Sequence, residues 1–158
     1  MSVELDIKLE ANSLNRFLLY HNYARFSGII GVVISLAAAA ALAVRWEFWT
    51  QPQRTLLFVL ALLFTAIQPV MLISKGKRQL SMEEFKIPFH YVFDEKGITI
   101  SQKDQKQEFT WGDVRRIVYR KDAVYVYMST VSAFIIPENQ CDGRFEELTS
   151  LMKEKKAK

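Results

Sequence analysis

Apolar residues in this chain follow three rhythms. The first is strict alternation. Val3, Leu5, Ile7 and Leu9 interleave with Glu4, Asp6, Lys8 and Glu10, the period of a half-buried strand. The second is unbroken. From Phe26 to Val44 no charge falls across 19 residues, and none across 20 from Thr55 to Ser74. At about 1.5 Å per residue, each run makes a helix roughly 30 Å long, the thickness of a bilayer's hydrocarbon core. Core helices of soluble proteins are rarely apolar all round for so long, so both runs read as transmembrane helices. The stretch before them, "SLNRFLLYHNYARF", sets Leu14, Phe17, Leu18 and Tyr20 at helical spacing, with Asn12 or Ser13 as its expected cap.

The third rhythm fills the last half of the chain. Short β-branched and aromatic runs, "FHYVFD", "GITISQ", "QEFTW", "VRRIVYR", "VYVYMS" and "SAFIIP", alternate with turn signals. That spacing predicts an antiparallel sheet or small barrel. A helix is expected from about Asp142, as N-cap, to Lys156. Glu146 and Glu147 fall early in it, Lys153, Lys155 and Lys156 late, and Phe145, Leu148, Leu151 and Met152 form one apolar face. The predicted class is therefore α+β: a transmembrane hairpin, then a small antiparallel barrel or sheet capped by a C-terminal helix. The expected divisions are a strand and amphipathic helix over 1–25, the hairpin over 26–74, a polar connector over 75–88 and a cytosolic domain over 89–158.

Charge sets the direction of the hairpin. Its ten-residue loop, "RWEFWTQPQR", carries Trp46, Phe48 and Trp49 as an interfacial belt, with Arg45 and Arg54 its only bases. The flanks carry Lys8, Arg16, Arg25, Lys75, Lys77, Arg78 and Lys86. Seven bases against two predict cytoplasmic termini in the cell membrane. A cleaved signal peptide is the competing reading of "AAAAALAV". The acids Glu4, Asp6 and Glu10 before it and the length of the run argue against that. Since both ends return to one side, the alternating strand at 3–9 is expected to pair with an edge of the C-terminal sheet.

The single cysteine, Cys141, rules out an internal disulfide and fits a reducing compartment. Residues 75–158 carry 16 basic and 13 acidic side chains, too balanced for a nucleic-acid domain. No internal repeat is evident.

Three blocks, "YVFDEKGITI", "FTWGDVRRIV" and "AFIIPENQCDGRFEEL", resemble the signature blocks of the YcxB-like bacterial membrane proteins, and "RFLLYHNY" resembles that family's N-terminal block. The resemblance implies two transmembrane helices followed by a pleckstrin-homology-like (PH-like) domain, and no established activity. The chain departs from the family at Glu138, after Pro137, where members often carry a basic residue.

Catalytic and metal chemistry find little support. His21 and His90 are far apart and belong to no ligand pattern. His90, between Phe89 and Tyr91, reads as a solvent-facing strand residue. Cys141 sits beside a presumed helix start, where a thiol pKa can fall. No P-loop, G-x-S-x-G or G-x-G-x-x-G is present, and neither cofactor nor metal is expected. His90, Asp113 and Cys141 are the residues whose mutation would test an enzyme acting on a membrane or envelope substrate.

Other residues bear on binding. Ser27, Gly31, Ser35, Ala39 and Ala43 recur every four positions, a small-residue seam for close helix packing, either against the second span or in a homodimer. Gln68-Pro69 is expected to kink the second span. Lys75, Lys77 and Arg78, and in the tail Lys153, Lys155, Lys156 and Lys158, are candidate contacts for anionic lipid. Arg115 and Arg116 would point to opposite sheet faces unless a bulge intervenes. Tyr125 and Tyr127 oppose Val124 and Val126, so one pair needs cover beyond the core. Trp111 and Ile117 read as core. The expectation is a non-enzymatic interaction module anchored in the lipid bilayer, with a protein partner or a second copy. An anionic-lipid reader is the alternative.

Overall fold

A computed structural model describes residues 2–156 of the chain; the tail residue Lys158 lies outside them. The chain divides into two units, Met1–Leu14 with Gln79–Lys158, and Asn15–Arg78.

The first unit is built from strands at both ends of the sequence. Strand β1 (Val3–Ile7) precedes helix α1 (Ala11–Tyr23). After the helical unit come β2 (Phe89–Phe93), β3 (Gly97–Gln102), β4 (Gln105–Thr110), β5 (Arg116–Tyr119), β6 (Ala123–Tyr127), β7 (Ala133–Pro137) and helix α5 (Phe145–Lys156). They form two antiparallel sheets, β1-β2-β3-β4 and β5-β6-β7. The expected pairing of the N-terminal strand is present: Leu5 lies opposite Tyr91 and Ile7 opposite Phe89. Its alternation is honoured residue by residue, with Val3, Leu5 and Ile7 buried and Glu4 and Asp6 exposed.

One core serves both sheets and the helix. Val3, Leu5, Ile7, Tyr91, Phe93, Ile98 and Ile100 come from the first sheet, Val124, Val126 and Ile136 from the second, and Leu148, Leu151 and Met152 from α5. Trp111 and Val114 join it at the corner between the sheets, with Ile117 packed beside it. The chain changes sheets there, in a tight turn. Asp113 accepts from the Thr110 amide and hydroxyl (2.8 and 2.7 Å), and the Trp111 indole donates to the Asp94 carbonyl at 3.0 Å.

Side chains cover the outer edge of β1 at Glu4 and just past its end at Lys8. Gln140 mimics a strand residue: its amide accepts from Lys8 N–H at 2.8 Å and donates to Lys8 C=O at 2.9 Å. Arg144 donates to the Glu4 carbonyl. These three backbone groups are thus already taken and do not offer themselves to another strand.

The second unit is helical. α2 (Phe26–Val44) packs against α3 (Gln51–Leu62), which passes through a π-turn (Leu63–Ile67) into α4 (Gln68–Leu80). The stretch Gln51–Leu80 counts as one helix of 30 residues, and with Phe26–Val44 it is long and apolar enough to cross a membrane. Thr50 and Gln53 form a capping box at its start, with Pro52 in the first turn.

Three local expectations change. The "connector" after residue 74 is helical to Leu80. Neither Asn12 nor Ser13 caps α1, whose first turn begins at Ala11 with Leu14 N–H bonded to Glu10 C=O. Asp142 is not the cap of α5 either: it and Gly143 adopt φ of 48° and 77°, left-handed values that reverse the chain before the helix starts. Leu148 N–H reaches Arg144 C=O, which puts Arg144 at the cap position.

Candidate interaction surfaces

The small-residue seam of α2 differs from the one expected. The buried positions are Gly28, Gly31, Ser35, Ala38 and Leu42. Gly31 and Ser35 lie in it, whereas Ser27, Ala39 and Ala43 are exposed. Helix geometry supplies the reason. A step of four residues overshoots a full turn by about 40°, so five such positions wind across the surface. Steps of three and four in turn stay on one side.

At that seam the long helix Gln51–Leu80 opens. Pro69 lacks an N–H, and its ring clashes with the carbonyl four residues back in a regular helix. The π-turn at Leu63–Ile67 lies just upstream, and Gln68 N–H reaches back to Leu63 C=O. The expected irregularity is therefore a π-turn preceding Gln68-Pro69. Leu60 C=O and Phe64 N–H pair with each other in an uninterrupted helix. Here Ser35 Oγ donates to the first at 2.7 Å and accepts from the second at 3.3 Å. Tyr23 Oη donates to Phe64 C=O at 2.6 Å. Backbone groups freed inside an apolar span need such partners. Gly31 makes room: a Cβ there would stand 2.3 Å from the Phe64 ring.

The basic clusters are used in different ways. Lys75, Lys77 and Arg78 are exposed on the last turns of α4. In the tail, Lys156 Nζ donates to the carbonyls of Trp111 and Val114, stitching α5 to the sheet corner. Lys153 Nζ lies 5.3 Å from the centre of the Tyr119 ring, and Lys155 pairs with Glu154 at 3.3 Å. The tail cluster is partly structural, which periodicity alone could not reveal.

The candidate chemical residues are held separately. His90 Nδ1 is 2.8 Å from Asp6 Oδ1, across the β1–β2 ladder and facing solvent. The hydrogen bonds from the Thr110 side chain and amide pull the Asp113 pKa down. At Cys141 the shift runs opposite to the one a helix start can produce. The thiol is buried and donates to Pro137 C=O at 3.2 Å. Burial first, then Asp142 and Glu138 nearby, pushes its pKa up to about 11. A helix N-terminus lowers a thiol pKa only when the sulfur is solvated and aimed at it. Among the described residues no three His, Cys, Asp or Glu side chains are grouped to hold a metal.

Two points that the sequence left open are decided by the packing. All five residues of β6 are buried, Tyr125 and Tyr127 included, with the Arg116 guanidinium 4.5 Å from the centre of the Tyr127 ring. And Arg115 N–H donates to Tyr127 C=O at 2.8 Å, although Tyr127 is also the register partner of Arg116. Two residues thus oppose one, the signature of a bulge. This is the bulge on which the relative facing of Arg115 and Arg116 depends.

Among curated proteins no match was found. Residues 93–152, from the end of β2 into α5, match the family described as YcxB-like protein, the same family that the three sequence blocks resemble.

Proposed function

We propose that this chain is a non-enzymatic interaction module held at a bacterial cell membrane. α2 and the helix Gln51–Leu80 span the bilayer, both termini are cytoplasmic, and the two-sheet unit is a PH-like domain in the cytosol. The observation that carries the reading is the β1–β2 ladder. A strand made before the hairpin pairs in register with one made after it. Such pairing requires both on one side, and two crossings deliver that, in accord with the basic flanks. The PH-like reading rests on the order of four strands, three strands and a C-terminal helix on one core. Fold alone does not assign a ligand.

The function is to present a rigid surface beside the membrane to a protein partner or to a second copy. Mild cross-linking in cells, then purification of the full chain from native membranes, tests it. A stoichiometric second protein supports the module and identifies its pathway. Recovery of the chain without protein company, itself included, overturns it.

Recognition of anionic lipid is the second reading. It is favoured by Lys75, Lys77 and Arg78, exposed where the long helix ends. Each such base near an anionic surface contributes about 1 kcal/mol.

A further inference from the structure

The turn between β6 and β7 is built against the usual chemistry of turns. Its sequence is Ser129-Thr130-Val131-Ser132. Turn apices favour Gly, Asn, Asp or Ser, yet here a valine stands at the tip with 69% of its surface exposed. The turn is well held. Ser129 Oγ accepts from the amides of Val131 (3.2 Å) and Ser132 (3.0 Å), and Met128 N–H bonds to Ser132 C=O at 3.1 Å. The apolar residue is thus presented by a hydrogen-bonded loop, with half-buried Met128 at its base.

The same end of the sheet carries the bulge. Arg115 and Arg116 both lie opposite Tyr127, the last residue of β6 before this turn, and both are exposed. A protruding apolar side chain and two exposed cations therefore lie at the same end of the sheet. That pairing suits a surface with anionic phosphates outside and hydrocarbon beneath.

We infer that the β6–β7 turn is a membrane-contact wedge, in which Val131 enters the boundary of the acyl chains and Arg115 and Arg116 engage phosphates of anionic lipid. Size selects a bilayer over a protein. A stable protein interface takes about 800 Å² from each partner, far more than one turn and two arginines supply. A bilayer contact can be that small when the domain is already tethered, because tethering makes each contact intramolecular. The inference rests on the membrane-anchored reading above.

The test uses the full chain with Val131→Cys carrying an environment-sensitive fluorophore. Buried Cys141 stays unlabelled. Lys106→Cys on exposed β4 is the reference site. In nanodiscs of phosphatidylcholine with about one-third phosphatidylglycerol, emission at 131 should rise several-fold over that at 106. The rise should shrink in phosphatidylcholine alone, and again with Arg115→Gln/Arg116→Gln, while circular dichroism shows the fold intact. Equal emission at both sites in every lipid overturns the wedge. So does shielding at 131 that persists in detergent micelles, which would mark a contact with protein. Failure of the chain to enter nanodiscs at all would instead strike the membrane-anchored reading.

Discussion

Cys141 is the residue where environment departs most from sequence. Four residues after Pro137, its thiol is enclosed and donates to that residue's carbonyl. In the native protein it should resist alkylation at neutral pH and react once denaturant is added; rapid native labelling would contradict the burial. The raised pKa also sets a pH dependence. The folded thiol titrates near 11 against an ordinary 9.0, so the folded state holds its proton longer than the unfolded one. Its stabilising contribution is complete below about pH 9 and is lost as pH rises through about 11, amounting to about 1 kcal/mol by pH 10. Burial pushes the Tyr91 phenol up as well, so alkaline loss of stability should persist in part in Cys141→Ala. Thermal melts of both proteins between pH 8 and 10.5 would show it.

Ser35 carries a comparable weight in the helical unit. Its hydroxyl serves both Leu60 C=O and Phe64 N–H. Ser35→Ala should cost about 1 kcal/mol in detergent-solubilised protein. Gly31→Leu should cost more, about 1–3 kcal/mol, since even its Cβ meets the Phe64 ring. A Gly31→Leu protein with an unchanged melting temperature would refute the packing at this seam.

At the scale of elements, β1 has the sharpest consequence. It supplies three fully enclosed side chains, Val3, Leu5 and Ile7, to a core otherwise made after residue 79. Leu5→Ala should cost about 2–5 kcal/mol, and deletion of residues 2–10 should strip amide-exchange protection from β2, its ladder partner. Unchanged protection in β2 would mean that the strand is dispensable. The alternation of residues 3–9 was legible because one buried face imposes a period of two. Strands β2 to β7 were legible to within a residue or two for the same reason, sharpened by turn residues. Helix ends were legible in part: Phe26–Val44 and the Lys156 end stand as read, but the caps do not. A cap depends on the backbone angle of one residue, and at Asp142 a left-handed turn took the place that composition alone assigned to a cap.

For the whole molecule, the prediction is one of sides. Single cysteines placed at Glu4 and Lys121 should both be shielded from an impermeant thiol reagent in intact cells, and one at Glu47, in the hairpin loop, should react. Labelling at Glu4 but not at Glu47 would invert the topology. Labelling at only one of Glu4 and Lys121 would be incompatible with the β1–β2 ladder in a hairpin that crosses twice.

The amino-acid sequence made legible what depends on neighbours along the chain: two uncharged runs long enough to span a bilayer, a periodic strand at the start, short strands with turns between them, and an amphipathic helix at the end. It also carried the YcxB-like blocks, now matched over residues 93–152. Which faces meet was settled by packing in three dimensions. The α2 seam follows its contact with α3 and not a fixed spacing of four; the turn after Trp111 switches sheets; the tail lysine Lys156 is spent on backbone carbonyls; and Arg115 and Arg116 share one partner across a bulge. Each is a relation between residues far apart in sequence, fixed when desolvated backbone groups and apolar surfaces find partners in three dimensions.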